Sequence, residues 1–235
     1  MNLKDKIVIV TGASQGIGLA TAKYLSEQGA KIVLAARSED KLIELAKELP
    51  ESLAIKTDMT AISDINKLVE ETIKKFGRID VLINNAGQGM FSSVENIDIA
   101  EFKKVMELNL YSIVTAMQAV IPIMRQQGGG TIINVSSAVT KNYYPGLAAY
   151  SATKYALNAI SFTARQELAV DNIIVSVVLP KMTSTNFAIN SVGMRPGLMD
   201  SLIKDRLNDI IIDTPEIVAT KIGDLINSGK ADLLV

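Results

Sequence analysis

The chain has 235 residues, of which 48% are hydrophobic, and a formal net charge of −1. It contains no cysteine and no histidine, which excludes disulfide frameworks, thiol nucleophiles, Ser-His triads and the usual zinc ligands. The balanced charge gives no electrostatic footprint for nucleic acid, and no apolar run approaches a membrane span. The N-terminal MNLKDKIVIV carries charges where a signal peptide has its apolar segment, so we expect one cytoplasmic domain without a metal site.

Short apolar, β-branched runs alternate with longer helical patterns along the chain. Seven runs predict strands at Lys6–Thr11, Lys31–Ala36, Leu53–Lys56, Asp80–Asn84, Thr131–Ser136, Ile173–Pro180 and Asp232–Val235. Runs such as IVIV and IVSVVL are apolar throughout, as expected of a parallel sheet buried on both faces. Strands separated by helices predict an α/β fold, a single-domain Rossmann-type doubly wound parallel sheet of about seven strands with helices on both faces. No linker divides residues 1–235.

The first predicted strand leads into TGASQGIG at 11–18 and then into a helical pattern. Gly12, Gly16 and Gly18 allow the backbone to turn sharply and to approach a pyrophosphate at the positive end of the helix. The spacing differs from the general G-x-G-x-x-G fingerprint, and such turns also occur without a ligand. The position after the first strand nevertheless favours a dinucleotide site.

The second predicted strand ends at Ala36, where an NAD site would hold an acid for the ribose 2′-OH. Arg37 follows instead, and an arginine suits a 2′-phosphate, so the favoured cofactor is NADP(H). The alternative for Arg37 is a solvated loop charge. Ser38 is predicted to be the N-cap of the next helix, which makes Glu39 and Asp40 ordinary first-turn acids.

Polar residues follow the next two strands and interrupt one helix. Asp58 either binds an adenine amino group or begins the next helix. The sequence NNAG at 84–87 falls where doubly wound sheets place their ligand edge, although the same residues also form simple turns. Asn109 lies in an otherwise largely apolar helical pattern, so its side chain either serves the site or bonds a neighbouring backbone.

Three residues after the fifth strand carry the chemistry. Tyr150 and Lys154 lie four residues apart on one face of a predicted helix, and Ser137 lies thirteen residues before the tyrosine. An ammonium beside a phenol favours the phenolate, so Lys154 is expected to lower the pKa of Tyr150. With a source of hydride, this set could reduce a carbonyl. A Tyr-x-x-x-Lys pair alone is a weak signal, since a solvated lysine has the same spacing.

Taken in order, these motifs resemble the short-chain dehydrogenase/reductase family in its compact single-domain form, over about residues 6–185. The resemblance implies that Tyr150 is the general acid toward the carbonyl oxygen and that Ser137 polarises the carbonyl. It implies that Lys154 holds the nicotinamide ribose and that Asn109 positions a water of a proton relay. The cofactor-binding residues implied are Gly12, Ser14, Gln15, Gly16, Ile17, Gly18, Arg37, Asp58, Met59, Asn85, Ala86, Gly87, Tyr150, Lys154, Pro180, Thr183 and Thr185.

Two features depart from the pattern that this family implies. Many relatives have Pro-Gly after the sixth strand, followed by a threonine for the nicotinamide carboxamide, whereas this chain has Pro180-Lys181 and then Thr185. Lys181 faces the substrate mouth or a phosphate, or is a solvent-facing lysine. The chain also stops at ADLLV, without the glycine-ended tail of many relatives. The assembly implied is a homodimer or homotetramer.

Three segments are expected to wall the substrate site: Gln88–Ser93, Ala138–Pro145 and a lid at about 181–208. The side chains that they supply are Met90, Phe91, Tyr143, Tyr144, Met182, Phe187, Met194 and Met199. These favour an apolar small-molecule carbonyl, for example a 3-oxoacyl thioester, reduced with NADPH. The alternatives are a sugar or polyol dehydrogenase, a non-catalytic NADP-binding redox sensor or scaffold, and a sugar-nucleotide epimerase or dehydratase.

Overall fold

Seven parallel strands form one sheet in the protein, of which a computed structural model describes residues 2–194 and 212–235. The strands are β1 (Ile7–Thr11), β2 (Lys31–Ala36), β3 (Leu53–Lys56), β4 (Val81–Asn84), β5 (Gly130–Val135), β6 (Ile173–Leu179) and β7 (Asp232–Leu234). Their order in the sheet is β3-β2-β1-β4-β5-β6-β7. The predicted doubly wound α/β architecture is therefore confirmed, and each predicted strand end lies within one residue of the observed one.

Helices cover both faces of this sheet. They are α1 (Gly16–Glu27), α2 (Glu39–Glu48), α3 (Ile62–Phe76), α4 (Ile99–Met106), α5 (Ser112–Gln126), α6 (Ala148–Glu167) and α7 (Pro215–Ser228). Val8 and Val10 of β1 pack toward α1, α2 and α7, whereas Ile7 and Ile9 pack toward α3, α5 and α6. Because both faces are buried, most successive strand residues are apolar, which explains the nearly continuous runs in the sequence.

The helical pattern before β5 contains a local break. The sequence predicts helix continuously through this region, but the chain forms α4, then a π-helical turn at Glu107–Tyr111, then α5. Such turns are frequent at functional sites. The combined run Ile99–Gln126 is long and apolar enough to be a candidate membrane span by length and composition alone. Ile113, Met117 and Val120 of this run pack onto the sheet, which accounts for much of its apolar composition.

The carboxyl ends of all the strands meet at one edge of the sheet. Chain order reverses between β1 and β4, so a crevice opens there, as it does in doubly wound sheets that bind ligands. Thr11 fixes the two strand ends: its hydroxyl donates to the Ile83 carbonyl at 3.2 Å and accepts from the Asn85 amide at 2.9 Å. The fold thereby places the first glycine turn beside the NNAG segment.

Candidate active site

One cavity of about 1390 Å³ runs along the carboxyl edge of the sheet. It joins the glycine turn and Arg37 at one end to Ser137, Tyr150 and Lys154 at the other. Every predicted cofactor-binding residue lines it except Gly18, and every predicted catalytic residue lines it except Asn109. The fold therefore brings together residues that the sequence spreads from position 12 to position 185.

The glycine turn is a place where backbone must approach backbone. Gly12 has a φ of +67°, a left-handed conformation that favours glycine. A Cβ on Gly18 would overlap the Gly12 carbonyl oxygen and lie 2.6 Å from Asn85 Nδ2. Helix α1 begins here with no side-chain capping bond from Gln15 at its N-cap. Its first N–H groups can therefore bind a phosphate, which the positive end of the helix also favours.

Asn85 holds this turn in place. Its side-chain amide donates to the Thr11 carbonyl at 2.9 Å and to the Gly12 carbonyl at 3.3 Å. The resemblance implies a contact between Asn85 and the adenosine-side ribose. Because its side-chain amide is bonded to the turn, Asn85 shapes the backbone of the site, and its contact with the ribose stays a prediction.

Arg37 and Asp58 lie at the far end of the cavity. Arg37 is exposed at the end of β2. Asp58 accepts hydrogen bonds from the backbone and hydroxyl of Thr60 at 2.9 and 2.8 Å. These two bonds are the main reason that its pKa lies below the usual value, and the charge of Arg37 lowers it further. Helix α3 begins only at Ile62, so Asp58 lies in a cavity-lining turn and does not begin the helix.

Ser38 is the N-cap of α2, as predicted. Helix α2 begins at Glu39, and the Ser38 side chain makes no capping hydrogen bond. Ser38 itself lines the cavity next to Arg37.

Ser137, Tyr150 and Lys154 converge at the other end of the cavity. Ser137 follows β5, and its hydroxyl accepts from the Val139 amide at 3.3 Å. Tyr150 lies in the first turn of α6, with 8% of its surface exposed. Lys154 Nζ donates to the Val135 carbonyl at 2.8 Å and lies 5.9 Å from the centroid of the Tyr150 ring. The i, i+4 geometry predicted for the tyrosine and the lysine is thus present on α6.

Burial controls the protonation of both side chains on α6. Burial raises the pKa of Tyr150 to about 12, and a hydrogen bond with Ser137 acts in the opposite direction. Burial likewise lowers the pKa of Lys154 to about 8. The prediction that Lys154 lowers the pKa of Tyr150 is therefore wrong. The free-energy cost of removing the phenolate from water exceeds the stabilisation that the neighbouring groups provide.

Asn109 makes structural hydrogen bonds from inside the π-helical turn. Its Oδ1 accepts from the Gln88 amide at 2.8 Å, and its Nδ2 donates to the Gln88 carbonyl at 2.8 Å and to Thr153 Oγ1 at 3.1 Å. Thr153 donates in turn to the Tyr150 carbonyl at 2.8 Å. Asn109 therefore ties the loop after β4 to the helical turn that carries the tyrosine. A role for Asn109 in a water relay stays a prediction.

Four of the eight side chains predicted to wall the substrate site do so: Phe91, Tyr144, Met182 and Phe187 line the cavity. The ring of Phe187 lies 5.8 Å from that of Tyr150, tilted by 56°. Met90 packs instead with Val105 and Ala149 in a small separate core. Tyr143 is 86% exposed and stacks on Tyr155 outside the cavity. Met194 does not line the cavity, and Met199 lies outside the described residues.

The described part of the predicted lid, residues 181–194, is paired to neighbouring segments. Met90 and Val192 form an isolated parallel bridge, with bonds from the Phe91 amide to the Val192 carbonyl at 2.8 Å and from the Val192 amide to the Gly89 carbonyl at 3.0 Å. Thr183 forms a second bridge with Asp213. A Cβ on Gly16 would lie 3.2 Å from Thr185 Cγ2, so this segment extends over the glycine turn. Residues 195–208 of the predicted lid lie outside the described residues.

One buried polar chain was not predicted from the sequence. Asn84 Nδ2 donates to Asn134 Oδ1 at 2.9 Å, and Asn134 Nδ2 donates to Ser161 Oγ at 2.8 Å. These bonds connect β4, β5 and α6 beneath the catalytic end of the cavity. The available signal was a polar residue within an apolar strand, since Asn134 interrupts the run TIINV.

Comparison with known proteins agrees with this geometry. The family model described as short chain dehydrogenase matches residues 6–195. An uncharacterized oxidoreductase of Staphylococcus saprophyticus is 39% identical over 232 residues, which cover 96% of this chain and 92% of the relative. A 3alpha-hydroxysteroid dehydrogenase of Mediterraneibacter gnavus is 36% identical over 79% of this chain and 77% of its own length. A 3-ketoacyl-(acyl-carrier-protein) reductase of Brucella melitensis, solved in complex with NADH, is 27% identical with a TM-score of 0.88, over 99% of this chain and 97% of that one.

Proposed function

The chain belongs to the short-chain dehydrogenase family of oxidoreductases, and from that premise we propose that it is an NADPH-dependent reductase of ketone or aldehyde carbonyls. One observation carries the proposal. A single cavity joins a phosphate-binding turn to the half-buried Ser137 and the buried Tyr150 and Lys154. A dinucleotide bound along that cavity would lie with its adenosine toward Arg37, its pyrophosphate at the glycine turn and its reactive ring beside Ser137 and Tyr150.

The residues of the cavity fit a nicotinamide dinucleotide. Glycines at the turn leave room that a Cβ would fill, and the uncapped start of α1 offers N–H groups to the pyrophosphate. We propose that Asp58 and Arg37 hold the adenosine end and that Lys154 and Thr185 hold the nicotinamide end. When bound, the cofactor supplies the hydride, and the protein supplies orientation and electrostatics.

The preference for NADPH depends on Arg37. A guanidinium at the end of β2 can bind a 2′-phosphate, whereas a carboxylate at Ala36 would be needed for the free ribose hydroxyl. The Brucella reductase was solved with NADH. The choice between the two cofactors is therefore a proposal about this chain, supported by its own residues at positions 36 and 37.

Tyr150 is suited to donate a proton in the direction of reduction. With a pKa of about 12 it carries its proton throughout the neutral range, so it can act as the general acid toward the carbonyl oxygen. The Ser137 hydroxyl stabilises the negative charge that develops on that oxygen. Lys154 is positively charged below a pH of about 8, so its ammonium can donate hydrogen bonds to the nicotinamide ribose.

Apolar side chains around Tyr150 favour an apolar substrate. Phe91, Met182 and Phe187 line the cavity, and the ring of Phe187 lies 5.8 Å from that of Tyr150. The names of two relatives, a 3alpha-hydroxysteroid dehydrogenase and a 3-ketoacyl-(acyl-carrier-protein) reductase, agree with a ketone on an apolar skeleton. A 3-oxoacyl thioester is thus one proposed substrate, and a sugar or polyol is the alternative.

We propose a homodimer or homotetramer as the assembly. Tyr111, Tyr155 and Ile160 are large apolar side chains with 51%, 38% and 40% of their surfaces exposed on the outer faces of the central helices. Association would cover them. A cytoplasmic location also stays a prediction.

The test is to mix the purified protein with NADPH or NADH and a panel of ketones, aldehydes, 3-oxoacyl thioesters and sugars. Loss of absorbance from the reduced cofactor reports turnover. We expect oxidation of NADPH with apolar carbonyls and far slower oxidation of NADH. Tight NADPH binding without turnover on the whole panel would instead favour the redox sensor, and faster turnover with NADH would contradict the cofactor assignment.

A further inference from the structure

Lys181 occupies a fixed position at the carbonyl end of the cavity. The carbonyl of Pro180, the preceding residue, accepts from the Ala138 amide at 2.9 Å. The Lys181 amide donates to the Val235 carbonyl at 3.0 Å. The backbone at Lys181 is therefore held on two sides, next to Ser137 and at the end of β6. Lys181 itself is exposed and lines the cavity.

The charge of Lys181 has no counterion among residues 2–194 and 212–235. Of the described lysines, three line the cavity, and the two besides Lys181 have partners. Lys104 forms an ion pair with Glu101 at 2.7 Å, and Lys154 donates to the Val135 carbonyl. The carboxylate of Asp232, which is paired with β6 at Val177, lies 4.0 Å from Lys141. Lys181 therefore presents a positive charge to whatever molecule occupies this end of the cavity.

The course of the chain separates Lys181 from the phosphate-binding turn. The segment starts at Pro180 beside Ala138 and reaches the glycine turn four residues after Lys181, where Thr185 lies close to Gly16. Lys181 thus belongs to the end of the cavity that holds Ser137 and Tyr150. An anion bound at this end would therefore belong to the substrate and not to the cofactor.

We propose that Lys181 is a specificity-determining residue that binds an anionic group of the substrate. The preferred substrate is then an amphiphile: an apolar body against Phe91, Met182 and Phe187, a carbonyl at Tyr150, and one carboxylate or phosphate that reaches Lys181. This inference rests on the proposed reductase function and narrows its substrate class. A charge-assisted hydrogen bond at a partly exposed site provides selectivity that weakens as salt is added.

The test compares acids with their own esters. The substrates are aryl oxo acids, Ph-CO-(CH₂)ₙ-COO⁻ with n from 2 to 5, each assayed beside its methyl ester with saturating NADPH. A matching phosphate monoester of an aryl hydroxyketone distinguishes carboxylate from phosphate recognition. The variants are Lys181→Met, which removes the charge and keeps the length, and Lys181→Arg, which keeps the charge. Lys104→Met is the control, since it removes a cavity lysine whose charge is already paired.

We expect at least one anion to have a higher kcat/KM than its neutral partner. Lys181→Met should lower kcat/KM for that anion about tenfold, mainly through KM, and leave the ester unchanged. Lys181→Arg should retain most of the preference, Lys104→Met should retain all of it, and added salt should reduce it. An equal effect of Lys181→Met on acids and esters, or no preference for any anion in the parent protein, would overturn the inference.

Binding measurements separate this inference from the proposed function. Calorimetric titration of acid and ester into the NADPH-saturated protein needs no turnover. The parent protein could bind the acid more tightly than the ester, lose this preference in Lys181→Met, and turn over none of the compounds. That result would support the anion site and contradict the reductase function. Weaker NADPH binding in Lys181→Met, with an unchanged ratio of acid to ester, would assign the lysine to the cofactor pyrophosphate and overturn the inference.

Discussion

The two ends of the cavity are built in different ways. At the glycine turn, the shape comes from backbone: Gly12, Gly18 and the Asn85 amide approach so closely that a single added Cβ would overlap an oxygen atom. At the carbonyl end, the chemistry comes from side chains, since Tyr150 and Lys154 are both buried and both have strongly shifted pKa values. The glycine-turn end binds its ligand by shape, and the carbonyl end carries out chemistry with buried ionisable side chains.

The two ends should therefore respond differently to added side-chain volume and to pH. A site formed by close backbone approach is sensitive to volume and insensitive to pH, because few of its groups titrate. A site formed by buried ionisable groups tolerates neighbouring volume changes better but depends on proton occupancy. Variants at the two ends should therefore separate binding from chemistry.

The largest effect is expected at Tyr150. Tyr150→Phe removes the proposed general acid without changing the volume of the ring, so turnover should fall by roughly 10²–10⁴-fold. NADPH affinity, measured by fluorescence titration, should stay nearly the same. Tyr143→Phe is the control, because that tyrosine is exposed outside the cavity. Turnover close to that of the parent protein would remove Tyr150 from the mechanism.

At the glycine turn, we expect a substitution to weaken NADPH binding more than it lowers turnover. Gly18→Ala introduces a Cβ that meets the Gly12 carbonyl oxygen and Asn85 Nδ2, atoms that are held by hydrogen bonds. We expect NADPH affinity to fall about a hundredfold and the free energy of unfolding to fall by about 1–3 kcal/mol. Turnover at saturating NADPH should fall less than the affinity does.

A second glycine provides the control for that variant. Gly130 lies at the amino end of β5, away from the cavity, and the three atoms nearest to a Cβ on it belong to the Met124 side chain. Gly130→Ala should therefore lower stability without changing NADPH affinity. If both variants bind NADPH as the parent protein does, close backbone approach at Gly18 is not needed for the site.

Cofactor choice should change at Arg37 by a smaller factor. Arg37→Asp replaces the proposed 2′-phosphate ligand by a carboxylate that suits the ribose hydroxyls, so the ratio of NADPH to NADH affinity should fall about tenfold or more. Titration of the protein with each cofactor measures this affinity ratio. Lys67→Asp makes the same change of charge on the exposed face of α3 and should leave the ratio unchanged. A ratio unaffected by Arg37→Asp would contradict the NADP assignment.

The smallest effect expected is on stability, and it depends on pH. The pKa of Lys154 is lowered from 10.5 to about 8, so burial of its charge destabilises the fold fully below pH 8, and this penalty disappears as pH rises toward 10.5. The penalty is roughly 3 kcal/mol, offset in part by the bond to the Val135 carbonyl. Lys154→Met should therefore raise the free energy of unfolding by about 1–2 kcal/mol at pH 7 and by less at pH 10, while turnover is lost.

Urea unfolding of Lys154→Met and the parent protein at the two pH values measures this difference. Lys67→Met serves as the control, because it makes the same replacement at an exposed position of α3 and removes no buried charge. A stability difference that is the same at pH 7 and pH 10 would show that burial of the Lys154 charge does not limit the stability of the fold.

Much of the architecture could be predicted because it depends on local patterns. Continuous apolar runs located all seven strands within one residue, and nearly all of the site residues that the motifs predicted line the cavity. Short-range patterns do not predict contacts between residues that lie far apart in the sequence. The continuous helical pattern around Asn109 did not show the π-helical turn, and the spacing of Asn84, Asn134 and Ser161 did not show their bonds.

The sequence by itself thus determined the sheet, the position of the glycine turn and the identity of the chemical groups, because strand periodicity and turn chemistry act over a few residues. Only the tertiary structure decided what those groups do. It buried Tyr150 enough to raise its pKa rather than lower it, and it used Asn109 to tie a loop to α6. It also left Lys181 with a charge that no described carboxylate pairs. Desolvation and pairing depend on residues far away along the chain, and no local pattern specifies them.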